Sequence, residues 1–274
     1  MKTTVLSLLA ILTLSFTYLA NRETNLGENS TAEKSLIEDN YRVIKVNGQI
    51  LYIKSGKNMS QGDVFSPREQ LEFKTDESRA AVISKTAGRK ILSPKTGTKT
   101  KATLLPAMNN ISSRAGALIN LIDLKNHFAG NYLVLDEIKL QISSKSFPMD
   151  QEKFFFIRYD CNGETINKKL EHDGEKLIIN KKELFKVDGE PIESDLVEEC
   201  ELYYREGKKS TLIGSFKPIF PETEALKSEL SIIMSELKGK EEDEVIEELT
   251  SYLNEYYGKP DKDNLKEWLS ANFE

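Results

Sequence analysis

Apolar and polar positions divide the chain into an apolar leader, two strand-patterned regions and a helix-patterned tail. Residues 5–20 carry no charge, and residues 21–40 are polar and lack aromatic side chains. From residue 41 short apolar runs alternate with turn residues, which is typical of β-strands. From residue 226 the apolar positions recur with the spacing of an amphipathic helix. The chain is therefore predicted to be α+β, and mainly β.

The first 20 residues have the pattern of an export signal. Lys2 precedes the apolar run and Ala20 supplies a small residue at its end. The run of 16 residues is short for a membrane span, which needs about 20. An uncleaved anchor and a buried helix of a cytosolic protein are the alternatives. We expect residues 1–20 to be a signal peptide, residues 21–40 a polar linker, and the mature protein to be periplasmic or secreted. A membrane would be contacted only through an uncleaved signal.

Residues 41–105 predict a small β module, because glycine-containing turns separate its short strands. Its characteristic segments are Val46-Asn47-Gly48-Gln49-Ile50, Gly56, Met59, Gly62-Asp63-Val64-Phe65, Leu71, Lys74-Thr75, Ser78-Arg79-Ala80-Ala81-Val82 and Gly88-Arg89. Over residues 43–101 this series resembles the FecR-type extracytoplasmic β domain. The resemblance implies a small periplasmic β module that senses or binds. The chain departs from the family at Thr86-Ala87-Gly88, where an acidic residue usually precedes the glycine, and iron-uptake signalling is not implied.

Residues 106–130 are predicted to connect two modules, mainly as a helix. Ser112 or Ser113 would cap that helix, and Leu121 shares a face with other apolar positions. Ile119 and Ile122 also permit a strand in the middle of the segment.

Residues 131–220 predict a second β module, resembling a sandwich. Residues 132–142 alternate between apolar and polar positions, which favours β structure, and residues 153–161 indicate a buried strand. Asn162-Gly163 is a strong hairpin signal. We expect a meander of about six or seven strands.

Residues 221–274 predict an acidic helical bundle. Gly239 and Gly258 end the first two of three helices, and Asp261 caps the third.

The net charge of −6 hides a separation of charge along the chain. Residues 40–125 contain 15 basic and 6 acidic residues, whereas residues 222–274 contain 15 acidic and 6 basic ones. No Asp or Glu occurs over residues 78–122. The residues proposed from this stretch to bind an anion or a partner are Arg79, Lys85, Arg89, Lys90, Lys95, Lys99 and Lys101.

Three interpretations of these cations remain open. They form an ordinary solvated surface, a binding site for a polyanion, or an internal surface that docks against the acidic tail. No aromatic residue lies between Phe73 and Phe128, so the stacking platforms for single-stranded nucleic acid are missing. The expected partner is a protein or an anionic envelope polymer, and no nucleic acid.

Cys161 and Cys200 are the only cysteines. In an oxidising compartment two such residues on neighbouring strands often form a disulfide, and the alternative is a pair of buried free thiols. A cysteine-dependent hydrolase using either residue, with His127 or His172 as the base, is the alternative function. Neither cysteine lies in a local nucleophile signature.

Metal and cofactor motifs are not evident in the sequence. The two cysteines and two histidines lack the paired spacing of a zinc site, and no glycine loop has the spacing that cradles phosphate. We therefore expect no metal, no cofactor and no enzymatic activity. The sequence favours an exported, non-catalytic cell-envelope protein that acts as an interaction, scaffold or sensing module.

Overall fold

Among the described residues the strands lie between Tyr41 and Ile219, and the three longest helices follow from Thr223. The structure is a computed structural model that describes residues 39–107, 117–192 and 197–273. Within them it has 17 strands and five helices, so the predicted mainly-β α+β class is confirmed. The predicted signal peptide, nearly all of the predicted linker, and Ser112 and Ser113 lie outside the described residues.

The first β region forms a five-stranded sheet and a two-stranded one. Its strands are β1 (Tyr41–Asn47), β2 (Ile50–Tyr52), β3 (Val64–Phe65), β4 (Leu71–Phe73), β5 (Arg79–Ser84), β6 (Gly88–Pro94) and β7 (Ala102–Pro106). The larger sheet has the order β3-β1-β5-β6-β7, and β2 pairs with β4. Val43, Ile50, Phe73 and Val82 are fully buried in the core that these strands share.

The second β region follows a short helix, α1 (Leu121–His127). Its strands are β8 (Gly130–Leu133), β9 (Glu137–Gln141), β10 (Lys153–Cys161), β11 (Glu164–Lys169), β12 (Glu171–Asp173), β13 (Lys176–Asn180), β14 (Lys186–Val187), β15 (Glu190–Pro191), β16 (Cys200–Glu206) and β17 (Lys209–Ile219), with helix α2 (Lys181–Leu184) between β13 and β14. One sheet has the order β11-β10-β16-β17-β8, a second the order β12-β13-β9, and β14 pairs with β15. Side chains of the two larger sheets, such as Ile157 and Leu177, share one apolar core.

The alternating segment over residues 132–142 is divided between two strands. β8 and β9 lie in different sheets, and Asp136 between them has a φ of 57°. A strand cannot continue through a residue in the left-handed region, so the chain leaves one sheet there and enters the other. The second β region is also not a simple meander of six or seven strands. Its described residues form ten strands, and β17 pairs with β8 in the parallel direction.

Helix α1 begins later than the serines that the sequence suggested as caps. The side chain of Asn120 accepts hydrogen bonds from the backbone N–H groups of Ile122 and Asp123, both at 2.9 Å. These contacts satisfy two N–H groups that have no partner within the helix. Leu124 is the buried residue of α1 and contacts the core of the second β region.

The three predicted C-terminal helices are confirmed. They are α3 (Thr223–Glu236), α4 (Glu242–Tyr256) and α5 (Lys262–Asn272). Gly239 has a φ of 94°, a conformation that favours glycine after a helix. The Asp261 side chain caps α5 by accepting a hydrogen bond from Asn264 N at 2.9 Å.

The C-terminal helices complete a third core together with both β regions. Leu230 of α3 and Leu249 of α4 are fully buried beside Ile44 and Ile83 of the first sheet and Leu133 of β8. Residues Asn40–Glu274 form one compact unit. Among the described residues, no helix combines the length and apolar character needed to cross a membrane.

Candidate anion-binding surface

One face of the first sheet is covered by helices α3 and α4. Ala81 and Ile83 of β5 and Ile44 of β1 lie in the same apolar cluster as residues of those helices. The opposite face covers the core of the first β region, where Ala80 and Val82 are buried. Alternate residues of each strand therefore contact different elements, as the pleat of a β-strand requires.

Ion pairs surround the apolar contact between this sheet and the helices. Arg42 Nε lies 2.7 Å from Glu236 Oε1, and Lys45 Nζ lies 2.9 Å from Glu229 Oε1. The apolar contact matters for their stability, because ion pairs exposed to water contribute only about 0–1 kcal/mol each. Some basic residues of the first β region therefore dock against the acidic helices of the same chain, as the third interpretation expected.

Arg89 of β6 is the most deeply buried cation of this interface, with 4% of its surface exposed. Its guanidinium pairs with the carboxylates of Glu248 and Glu255 on α4, and Nη2 donates to Ser251 Oγ at 2.9 Å. The charge pattern of the sequence predicts Arg89 as one of the residues that bind an external anion or partner. In the structure its donors are directed at carboxylates of this same chain.

The acidic partners of the interface were missed at the level of sequence. Glu248, Ser251 and Glu255 are three or four residues apart, so they share one side of α4. That side continues into the buried Tyr252 and Leu249. Acidic residues on the apolar side of a helix are a signal that could have identified them, because a buried carboxylate needs a partner.

Glu229 of α3 forms the second charged group of the interface. It is 5% exposed and accepts hydrogen bonds from Lys45 Nζ, Tyr252 OH (2.7 Å) and Tyr257 OH (2.6 Å). Burial raises the pKa of both tyrosines, and the nearby negative charge of Glu229 adds to the effect. Both phenols therefore remain protonated donors to Glu229 at physiological pH.

Of the six other cations suggested by the sequence, Arg79 lies at the border of this interface and the remaining five lie outside it. Arg79 is on the same face of β5 as Ala81 and Ile83, and it lies near Tyr256 of α4. Arg79 begins β5, Lys85 lies in the turn after it, and Lys90 lies on β6 with its neighbour Arg89 directed to the other face. Lys95, Lys99 and Lys101 surround the turn between β6 and β7. Five of the six are exposed and Lys90 is half-buried.

These six residues have no ion-pair partner within the part of the chain that the structure describes. The Lys99 ammonium lies 3.4 Å from the backbone oxygen of Lys74, and that contact does not neutralise its charge. We call Arg79, Lys85, Lys90, Lys95, Lys99 and Lys101 the basic surface. Arg42, Lys45 and Arg89 are thus paired with carboxylates of the helices, whereas the residues of the basic surface are not.

β7 forms the edge of the sheet beside the basic surface. It contains no charged residue, and Leu105 is 46% exposed. Its inner neighbour β6 pairs with it in the antiparallel direction, with Ile91 opposite Leu105 and Lys90 opposite Pro106. Leu105 therefore shares the sheet face of Ile91 and Arg89, whereas Lys90 lies on the opposite face with Pro106.

The two cysteines are buried free thiols in the structure. Arg158 pairs with Glu201, and continuing this register places Cys200 opposite Tyr159. Cys161 is then a diagonal neighbour of Cys200, at a separation of about 7–8 Å. Disulfides usually join Cα atoms about 4.4–6.8 Å apart, so a bond between these residues requires the strands to shift.

The chemistry needed for a cysteine nucleophile is not assembled around Cys200. Burial raises the pKa of its thiol to about 12, with the nearby Glu199 charge adding to the effect. Nucleophilic cysteines react as thiolates and need a lowered pKa. His127 Nε2 is hydrogen-bonded to Tyr132 OH at 2.6 Å, and His172 Nδ1 lies 3.3 Å from the oxygen of Gly174.

His127 is part of a buried junction between α1, β8 and the loop before α5. Burial and the nearby Lys259 lower its pKa to about 3. Its neighbour Tyr132 is fully buried, and Asp261 Oδ2 lies 3.9 Å from Nε2. The imidazole is therefore neutral at physiological pH and holds the junction together through Tyr132.

No cluster of three or more His, Cys, Asp or Glu side chains suited to a metal ion occurs in residues 39–107, 117–192 and 197–273. Comparison with protein-family models, curated proteins and solved structures found no match for the chain.

Proposed function

We propose that this chain is an exported, non-catalytic cell-envelope protein that acts as an interaction, scaffold or sensing module. In this proposal the basic surface binds an anionic partner, which is an acidic protein or an anionic envelope polymer. The observation that carries the proposal is the set of six cations without a carboxylate partner among the described residues. Such a surface raises the local concentration of polyanions and accelerates their association.

The contrast within one module supports this use of the basic surface. Arg42, Lys45 and Arg89 already have carboxylate partners on the acidic helices. The acidic tail therefore neutralises these three cations and leaves those of the basic surface without a carboxylate partner among the described residues. Strand β7, beside these cations, contains no charged residue, so it supplies no carboxylate that would compete with an anionic partner.

The proposal includes the architecture of the two β modules. We propose a FecR-like β module over residues 43–101 and a sandwich-like second module. Support for the resemblance comes from the turns, because Gly48, Gly56 and Gly62 all have positive φ angles. A side chain at Gly48 would place its Cβ 2.7 Å from Ser78 Oγ, which explains glycine there and links two of the segments that carry the resemblance.

Binding of defined polyanions by the whole protein tests the basic surface. Poly-L-glutamate and polygalacturonate represent an acidic protein and an acidic polysaccharide. The variant Lys90→Gln, Lys95→Gln, Lys99→Gln, Lys101→Gln should bind at least one of them about tenfold more weakly than the unchanged protein.

The matched control removes four exposed lysines of the second β region, and is Lys145→Gln, Lys176→Gln, Lys208→Gln, Lys209→Gln. It changes the net charge equally and should leave the affinity within about twofold. Equal losses in the two variants would assign binding to net charge and reject a specific surface. No binding of either polymer at physiological salt would also reject the proposal.

Export is tested separately by the intact mass of the native protein. A mass lacking about the first 20 residues is expected for a cleaved signal. A full-length mass in the cytosolic fraction would contradict an exported location, whatever the polyanion measurements show.

A further inference from the structure

The outermost strands of the three larger sheets are protected in different ways. These strands are β3 and β7 of the first sheet, β8 and β11 of the second, and β9 and β12 of the third. β3 has two residues, and β11 and β12 carry charged side chains. Leu133 N of β8 donates to the Lys259 oxygen at 3.0 Å, and Lys139 N of β9 donates to Asn264 Oδ1 at 2.7 Å. Short, charged or covered edges resist pairing with another chain.

Strand β7 lacks each of these protections. It has five residues and no charged side chain. Within residues 39–107, 117–192 and 197–273, no backbone group of β7 has a hydrogen-bond partner beyond its ladder with β6. β7 is therefore an open edge, along which an added strand can continue the sheet.

The ladder between β6 and β7 determines which backbone groups of β7 are free. Lys95 N donates to the Lys101 oxygen at 2.6 Å, immediately before β7 begins. In an antiparallel ladder, pairs that are hydrogen-bonded alternate with pairs that exchange no bond. Counting in steps of two from Lys101, the backbone groups of Thr103 and Leu105 are directed at β6.

Ala102, Leu104 and Pro106 consequently direct their backbone groups away from β6. Proline has no N–H group, so Pro106 at this outward position removes no bond from the sheet. The N–H groups of Ala102 and Leu104, and the C=O groups of all three residues, remain for another strand. This row of donors and acceptors selects a ligand that itself has peptide groups.

Charge identifies the kind of strand that fits this edge. Lys101 immediately precedes β7, and Lys90 lies opposite Pro106 at the other end. No Asp or Glu occurs over residues 78–122. A second copy of this chain would bring two basic surfaces together, and a polysaccharide has no peptide groups to continue the ladder. An acidic polypeptide in an extended conformation satisfies both the cations and the free backbone groups.

We propose that an extended acidic segment of a partner protein binds beside β7 as an additional strand of the sheet. Its peptide groups pair with Ala102 and Leu104, and its carboxylates pair with Lys90 and Lys101. Leu105, which is 46% exposed, contacts an apolar residue near the middle of the segment. The inference rests on the proposed function and deepens it, because it assigns the anionic partner of the basic surface to the proteins and specifies its conformation.

A short blocked peptide is the probe for strand addition. It has two glutamates at each end, with valine, threonine and valine between them. The comparison peptide is N-methylated at the valines and the threonine, so it keeps every charge and loses its central N–H donors. The unchanged protein should bind the unmethylated peptide at least tenfold more tightly. Saturation with that peptide should also slow the amide exchange of Ala102 and Leu104 in NMR spectra of the whole protein, because both N–H groups acquire acceptors.

The variant Ala102→Pro tests the edge from the side of the protein. It removes one outward N–H group and, like Pro106, removes no bond to β6. Binding of the unmethylated peptide should weaken about fivefold or more, because a peptide C=O group loses its donor. Ala102→Val keeps the N–H group, is the matched control, and should bind the peptide within about twofold of the unchanged protein. Circular dichroism verifies that both variants are folded.

Equal affinities for the two peptides would overturn strand addition, and so would unchanged exchange of Ala102 and Leu104 with the peptide bound. Binding of polyanions at the basic surface without binding of the peptide would overturn strand addition and leave the proposed function supported. Failure of the peptide and of both polyanions to bind would reject the two proposals together. Slow exchange of the same two amides in the free protein, increasing with protein concentration, would assign the edge to a second copy and overturn the acidic partner.

Discussion

At the scale of residues, the burial of Arg89 distinguishes it from the basic residue next to it. Arg89 and Lys90 are indistinguishable as charges in the sequence, yet the alternation of a β-strand directs them to opposite faces. One face meets Glu248 and Glu255, and the other leaves Lys90 without a carboxylate partner among the described residues. The sequence identifies the cations. Which of them form ion pairs depends on which face of the strands the helices cover, and that is decided only by the tertiary structure.

Replacing Arg89 should destabilise the protein strongly. Arg89→Met leaves two carboxylates beside each other without their counter-charge, which costs about 3–5 kcal/mol. Lys90→Met is the matched control and should change the free energy of unfolding by less than about 0.5 kcal/mol. Urea denaturation of both variants measures the difference. Similar values for the two substitutions would show that Arg89 is not held in the buried pair.

His127 should make stability depend on pH between about 3 and 6.5. Its folded pKa of about 3 lies below the ordinary value of 6.5, so the unfolded chain takes up a proton first as the pH falls. The stabilisation from neutral His127 is therefore complete above pH 6.5 and is lost progressively toward pH 3. The neighbouring Lys259, Asp261 and Tyr132 complete its surroundings.

Proton uptake on unfolding at pH 5 measures this contribution. His127→Gln should reduce it by close to one proton per molecule, since the unfolded histidine is mostly charged there and the folded one is neutral. His172→Gln removes an exposed histidine and is the control. An equal uptake in the unchanged protein and in His127→Gln would contradict the buried neutral imidazole.

At the scale of elements, the C-terminal helices were predictable and the route of the second β region was not. Helical spacing, Gly239 and the Asp261 cap are local signals, and α3, α4 and α5 follow them. The break at Asp136 depends on two sheets that exist only after long-range pairing, so the alternation over residues 132–142 concealed it. Asn120 likewise offered a cap beyond the serines considered, and a cap works only where the helix begins.

Gly258 should be essential for joining helices α4 and α5 to strand β8. Its φ is 151°, and a Cβ at this position would lie 2.7 Å from the backbone oxygen of Asn131. Gly258→Ala should therefore destabilise the protein by about 2–4 kcal/mol, because strain and a backbone clash act together. Thermal or urea unfolding provides the measurement.

Gly174→Ala is the control for backbone strain alone. Gly174 also has a positive φ, 58°, but a Cβ there meets no atom within 4 Å. The expected loss is about 1 kcal/mol. If the two substitutions cost the same, the close approach of the loop to β8 has no energetic consequence.

At the scale of the whole molecule, part of the basic first β region and part of the acidic C-terminal tail form ion pairs with each other in the folded chain. The acidic helices supply Glu229, Glu236, Glu248 and Glu255 to the first β region. Apolar contacts from Ile44, Ile83 and their neighbours accompany these pairs. The sequence showed the opposing charges and allowed internal docking as one of three interpretations. It had no means to show which acids and bases would meet, because their separations along the chain exceed 150 residues.

From the division of the cations we expect anionic partners to bind at the basic surface and not at the acidic helices. Hydrogen–deuterium exchange of the whole protein, with and without saturating polygalacturonate, tests this claim most directly. We expect slower exchange in β6, in β7 and in the turn between them, with exchange in α3 to α5 unchanged. Protection confined to the helices or to the second β region, under conditions in which the polymer is bound, would contradict it.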